Sequence, residues 1–295
     1  MGAWGPGLYS SDFAMDLRPL VAALARLPIA DHEFRRYASD ANAGVADNPE
    51  DEDYSAFWLT LADQFAKKGI DCPYTRETAL SIIDSGADIE MMRSLGMSES
   101  DLKKRQKNLE AIRDNIVAAA AGPKKPRKTL KSPQAFIMET GDCFAYPVRQ
   151  GQAINPYMAR KETYDRQPWI ADGWGAALVV ETGRTLDYLV WYRLAAIEQK
   201  FAGKPTLDDA RKARVGGGLT AGTCSPLHFR RMELEHLGRL PVRQGAIHEL
   251  VPELGNVRSG DQAAIYDISV SNNLSVDNIF NRRFKGPLVA DLLAT

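Results

Sequence analysis

One short stretch decides how this chain can be divided. Gly122-Pro123-Lys124-Lys125-Pro126-Arg127-Lys128 sets two prolines and four cations within seven residues. Proline neither continues a helix nor donates to a sheet ladder, so regular structure cannot run across this stretch. Residues 122–133 therefore read as a linker, and the spacing of apolar residues differs on its two sides.

Before the linker the period is helical. Phe13, Leu17, Leu20, Val21, Leu24 and Leu27 recur at the three- and four-residue steps of one buried helix face. Ser10 and Ser11 offer caps, and Asp12 suits the positive helix start. Tyr54, Phe57, Trp58, Leu61 and Phe65 mark a second helix that Gly69 ends, with the acidic run 50–53 at its start. A third begins near Pro73, turns Ala79, Ile82 and Ile83 inward and stops before Gly86, and short helical material covers Asp88 to Leu95. The last runs from about Ser98 to Ala121. Ser98 and Asp101 are spaced like a capping box there, and Lys103, Lys104, Arg105 and Lys107 read as a solvated face.

After the linker the pattern becomes strand-like. Phe136 to Met138, Cys143 to Val148, Ala176 to Val180, Leu186 to Tyr192 and Ala263 to Val270 are short apolar or aromatic runs. Gly141-Asp142, Gly151 and Gly183 bound them as turn residues. Residues 203–222 are weakly patterned and contain Gly216-Gly217-Gly218, which reads as a mobile loop, and Ser225 to Leu237 reads as a helix. The expected fold class is α+β: a helical domain over 1–121, the linker 122–133, and a β-rich domain over 134–295 that forms a small barrel or sandwich with one or two helices.

Charge is uneven. Residues 1–120 carry 13 basic and 20 acidic groups, residues 121–133 carry five basic and none acidic, and the whole chain of 295 residues has a net charge of −1. The protein as a whole is no polyelectrolyte partner for nucleic acid or membrane. No apolar run approaches the roughly 20 residues of a membrane span, and the opening residues lack the pattern of a signal peptide. Cys72, Cys143 and Cys224 form no CxxC pair, which fits a reducing compartment. The expected location is the cytoplasm.

The candidates for chemistry are few. Cys143 follows a Gly-Asp turn, and His228, His236 and His248 lie further along, so a cysteine–histidine pair is one option. The plainer reading is a small apolar residue buried in a strand. His228 and His236, eight apart on the expected helix, are too distant to ligate one ion. No HExxH or paired cysteines occur, so no metal and no cofactor is expected. The triple glycine lacks the lysine of a phosphate loop. Asp12 and Asp16, spaced i, i+4, share a helix face; the plainer reading is a solvated helix start, and the alternative is an acidic contact patch near Trp4. Trp169-Ile170-Ala171-Asp172-Gly173-Trp174-Gly175 places two tryptophans around an Asp-Gly pair, a composition suited to anchoring a partner surface, while Trp191 reads as core.

Two resemblances rest on these stretches. The opening Met1-Gly2-Ala3-Trp4-Gly5-Pro6-Gly7, with Ser11-Asp12 and Asp16, resembles bacterial proteins carrying domain of unknown function 4259. Gly141-Asp142-Cys143-Phe144-Ala145-Tyr146-Pro147, Gly173-Trp174-Gly175 and Tyr266-Asp267-Ile268-Ser269 resemble the immunity protein 26 family of bacterial polymorphic toxin systems. The second resemblance implies a mostly β domain that binds and neutralises a toxin encoded by a neighbouring gene. Cys143 stands where that family is expected to have valine, which argues against a catalytic role.

The functional expectation is a non-catalytic binding protein, an immunity or defence-associated factor that contacts a protein partner. Its contact residues would be Trp4, Asp12 and Asp16 on the helical domain and Trp169, Asp172 and Trp174 on the β domain. One alternative is a nucleic-acid-binding or regulatory module using the barrel and Lys124, Lys125, Arg127, Lys128 and Lys131. The other is an enzyme acting through Cys143 or a histidine. No membrane partner is expected.

Overall fold

A computed structural model describes residues 5–122, 127–157, 167–197, 201–250, 273–276 and 285–294. Trp4, Lys124, Lys125 and the expected strand at 263–270 lie outside the described residues. The chain divides into two units, Met1–Lys131 and Ser132–Thr295. The first is helical and the second is built on an antiparallel sheet, an α+β chain. Among the described residues, no helix is long and apolar enough to cross a membrane.

The first unit contains α1 (Asp12–Leu24), α2 (Asp31–Asp40), α3 (Ala43–Ala46), α4 (Tyr54–Lys68), α5 (Pro73–Ser85), α6 (Ala87–Ser94) and α7 (Glu99–Ala121). Helix α4 is the hub, packed against α1, α5 and α7. Every residue from Ser55 to Phe65 is buried, because neighbours surround this helix on all sides. Gly69 ends it in the left-handed conformation at φ 69°, and the Ile70 N–H donates to the Phe65 carbonyl at 3.0 Å. Ser11 caps α1 by accepting from the Ala14 N–H, and Ser98 caps α7 by accepting from that of Asp101.

Two elements depart from the expected pattern. Helix α2 has only Phe34 and Ala38 buried, too narrow a stripe to register as a periodic face. Arg105 does not belong to a solvated face. Its guanidinium forms a bidentate pair with Asp88 at 2.5 and 2.8 Å, with side-chain exposures of 4% and 0%. Arg105 also donates to the Gly7 carbonyl, and Asn108 donates to that of Pro6. The opening Gly-Pro-Gly stretch is thus pinned onto α7.

The second unit contains β1 (Asp142–Arg149), β2 (Gln152–Ala153), β3 (Gly173–Thr185), β4 (Leu189–Ile197), α8 (Leu207–Lys212), β5 (Arg214–Gly222), α9 (Pro226–Arg231), β6 (Glu235–Arg239), α10 (Ile247–Leu250) and β7 (Lys285–Leu288), the last followed by a 3₁₀ turn (Val289–Leu292). Strand order is β2-β1-β3-β4-β5-β7, and β6 also pairs with β1. All these pairings are antiparallel. Beyond β6, Val242 bridges Leu293, and the Ala294 N–H donates to the Pro241 carbonyl at 2.7 Å. A short seam therefore links the segments that follow β6 and β7.

Both faces of the sheet are buried, which is why β1 and β4 read as continuous apolar runs. One face carries Phe144, Tyr146, Val148, Val179, Tyr192 and Leu194. The other carries smaller groups, among them Cys143, Ala176, Ala195 and Val215, beneath residues of α8, α10 and the 3₁₀ turn. Glycine makes room at two points. A Cβ on Gly175 would come within 2.5 Å of the Tyr146 ring, and one on Gly183 within 2.1 Å of the Trp191 ring. Gly183 therefore does not end a strand. It lies inside β3 because the Trp191 indole occupies the space above it.

Several expectations are corrected here. Residues 203–222 are not a loop: Thr206 caps α8, and the glycine-rich stretch is β5, held between β4 and β7. The helix expected over 225–237 stops at Arg231. Glu233 adopts φ 55°, which breaks the helix, and the chain continues as β6. Residues 186–187 are a turn rather than strand, with φ of 47° and 61°. Phe136 to Met138 lie outside any strand, although Phe136 packs edge-on against Tyr192.

Candidate functional site

The residues that could carry nucleophilic chemistry are held in unreactive settings. Cys143 sits in β1 between Leu178 of β3 and Gly238 of β6, with no exposed surface. Burial pushes its thiol up to about 12, so the reactive thiolate is scarce at neutral pH. Burial likewise pushes Cys224 up to about 12. Among the described residues, no histidine is hydrogen-bonded to either thiol. His228 belongs to α9 and His236 to β6, so the two do not share a helix. His228 stacks edge-on against Tyr157, and His248 lies in α10. No cluster of three potential metal ligands occurs among the described residues.

The most connected polar group of the second unit lies at the start of β1. Asp142 accepts from Arg239 Nε at 2.8 Å, from the Glu139 N–H at 2.7 Å and contacts His236 Nε2 at 3.2 Å. Burial alone would raise its carboxyl, but the bonds from Arg239, the Glu139 backbone and His236 hold it below its ordinary value. Gly141, at φ 92°, makes the entry turn. A Cβ there would strike the Leu240 carbonyl at 2.1 Å. The Gly141-Asp142 pair therefore serves to start β1 and to tie it to β6. A carboxylate so fully engaged by donors is a poor general base.

The expected contact residues fall into two groups, one on each unit. Asp12 and Asp16 are exposed on one side of α1, with Met15 beside them at 52% exposure. On the second unit Trp169, Asp172 and Trp174 have three different roles. Trp174 is a half-buried member of β3, paired with Pro147 and bridged to Phe201. Asp172 is exposed, and both its oxygens accept from the Gln150 N–H, at 3.0 and 2.8 Å. Trp169 is half-buried in the loop 167–172, next to Ile170, which is 71% exposed. Ile170 escaped sequence reasoning because a lone isoleucine between two tryptophans gives no signal of exposure.

The stretch 167–172 is the described end of the connection between β2 and β3. Arg149 donates to the Pro168 carbonyl at 2.9 Å, and the Asp172 N–H donates to that of Val148 at 2.9 Å, so β1 holds the backbone on either side of Trp169 and Ile170.

Of the basic residues, Lys128 and Lys131 are exposed. Arg127 is not part of a solvated tail. Its guanidinium donates to the carbonyls of Ala25, Leu27 and Ile29 at 3.0, 2.7 and 2.6 Å, which fastens the end of the first unit to the α1–α2 connection.

Against known proteins, the chain matches no family model, no curated protein and no solved structure.

Proposed function

We propose that this chain is a non-catalytic binding protein of the bacterial cytoplasm that neutralises a protein toxin by surface docking. The observation that carries the reading is the loop 167–172, where Trp169 and the exposed Ile170 stand on a segment fastened at Pro168 and Asp172. An exposed aromatic–aliphatic pair beside polar groups is the composition of an interface anchor. The acidic side of α1, with Asp12 and Asp16, offers a second contact that would draw in a basic partner. The sealed state of Cys143 favours binding over an enzyme, and the toxin is taken from the resemblance to immunity proteins.

The test is co-expression with the protein encoded by the neighbouring gene. If that protein is a toxin, the wild-type chain restores growth and forms an isolable complex, and Trp169→Ala weakens both. A neighbour with no effect on growth, or full protection by Trp169→Ala, would remove this reading.

A further inference from the structure

A cleft of about 510 Å³ is cut into the first unit, within the range of about 300–1,000 Å³ usual for small-molecule sites. The apolar part of its lining, its floor, includes Ala22, Ala62, Ala66 and Ala119 with Ile116. Around it stand Arg26, Lys67, Lys68, Arg76, Arg127 and Lys128, with Asp71 as the one acid in the lining. The unit as a whole, residues 1–131, carries 18 basic and 20 acidic groups, so the lining is more basic than its surroundings.

Internal ion pairing accounts for half of the six. Lys67 pairs with Asp63 at 2.7 Å, Arg76 with Asp71 at 3.4 Å and Arg127 with Asp31 at 3.4 Å. The side chains of Arg26, Lys68 and Lys128 engage no hydrogen bond or ion pair among the described residues. Helix-end electrostatics explains Lys67 and Lys68, which complement the negative end of α4. Arg76 sits near the positive end of α5, where Asp71 is its anionic partner. The first turn of α5 lines the cleft through Cys72 and Thr75, and Cys72 at its N-cap provides no side-chain cap. Pro73 has no N–H to offer, so the N–H groups that Cys72 leaves uncapped are those of Tyr74 and Thr75. Arg127 is engaged elsewhere, since its guanidinium holds the carbonyls of Ala25, Leu27 and Ile29.

We propose that this cleft binds a small organic phosphate. Its phosphate group lies among Arg26, Lys68, Arg76 and Lys128 at the α5 start, and its apolar body rests on the alanine floor. A bare inorganic ion would use the rim and leave the floor wet, so affinity should rise when an apolar body is attached.

The test is calorimetric titration of the full chain at low salt with three probes: ADP, dodecyl phosphate and inorganic pyrophosphate. ADP or dodecyl phosphate should bind at least tenfold more tightly than pyrophosphate. Binding should weaken at least tenfold in Arg26→Gln/Lys68→Gln, whose side chains support no internal bond. It should be unchanged in the charge-matched control Lys103→Gln/Lys107→Gln on α7. Tighter binding of either organic probe supports the site and tells whether the floor prefers a ring or a chain. Absence of binding by all three, pyrophosphate binding as tightly as the organic probes, or equal losses in both variants would overturn it.

Discussion

Replacing Asp88 by alanine tests the packing logic of the helical unit most severely. Asp88 has no exposed side-chain surface and Arg105 has 4%, and the two share a bidentate contact. Among the described residues, removing the carboxylate leaves a guanidinium buried with only its bond to the Gly7 carbonyl. Breaking a buried pair in this way costs about 3–5 kcal/mol, a large share of the roughly 5–15 kcal/mol that holds an ordinary domain folded. Urea unfolding followed by far-ultraviolet circular dichroism, which the helices of the first unit dominate, should show a loss of that size. The double variant Asp88→Leu/Arg105→Met removes both charges and should recover most of the loss, to within about 1–2 kcal/mol of wild type. A loss below about 1 kcal/mol in Asp88→Ala, or a double variant less stable than the single one, would refute the reasoning.

Three further outcomes follow from local geometry. Gln150, exposed at φ 50°, and Gly151 at φ 77° form the two-residue turn between β1 and β2, so Gln150→Asn should stabilise the chain by about 0.5–1 kcal/mol; an unchanged or lower urea midpoint would count against this. Cys143, buried and raised to about 12, should react with iodoacetamide at pH 8 at least about a hundredfold more slowly than a free thiol, read by mass spectrometry, and rapid labelling of the native chain would contradict the burial. Asp142 is held below its ordinary value, so its contribution is present above the unfolded carboxylate value of about 3.9 and lost as pH falls through the lower folded value. Urea midpoints of wild type should therefore drop more steeply between neutral and about pH 3 than those of Asp142→Asn, and parallel curves would refute the assignment.

What could be read without coordinates was whatever is encoded locally. The left-handed stops at Gly69 and Gly86, at φ 69° and 74°, and the Ser11 and Ser98 caps each need only a few neighbouring residues, and all are where their spacing places them. The misreadings share a cause in contacts distant along the chain. Gly216-Gly217-Gly218 looks flexible alone, yet as part of β5 it is fixed between β4 and β7. Phe229, Met232 and Leu234 follow a helical spacing, but a single positive φ at Glu233 redirects the chain into β6. Arg105 looked like one cation among four on α7, because its partner lies 17 residues earlier on another helix. The sites were harder still. Ile170 gives no sequence signal, and the cleft gathers its cations from separate stretches of the first unit, so no motif announces it.

The central claim is that the loop 167–172 anchors a protein partner. Calorimetric titration of the protein encoded by the neighbouring gene, the toxin of the proposed function, into wild type and into Ile170→Asp tests it directly, since an exposed side chain can be changed without disturbing the fold. The account predicts at least a hundredfold weaker binding by the variant, with its thermal unfolding unchanged. Equal affinities for the two chains would contradict it.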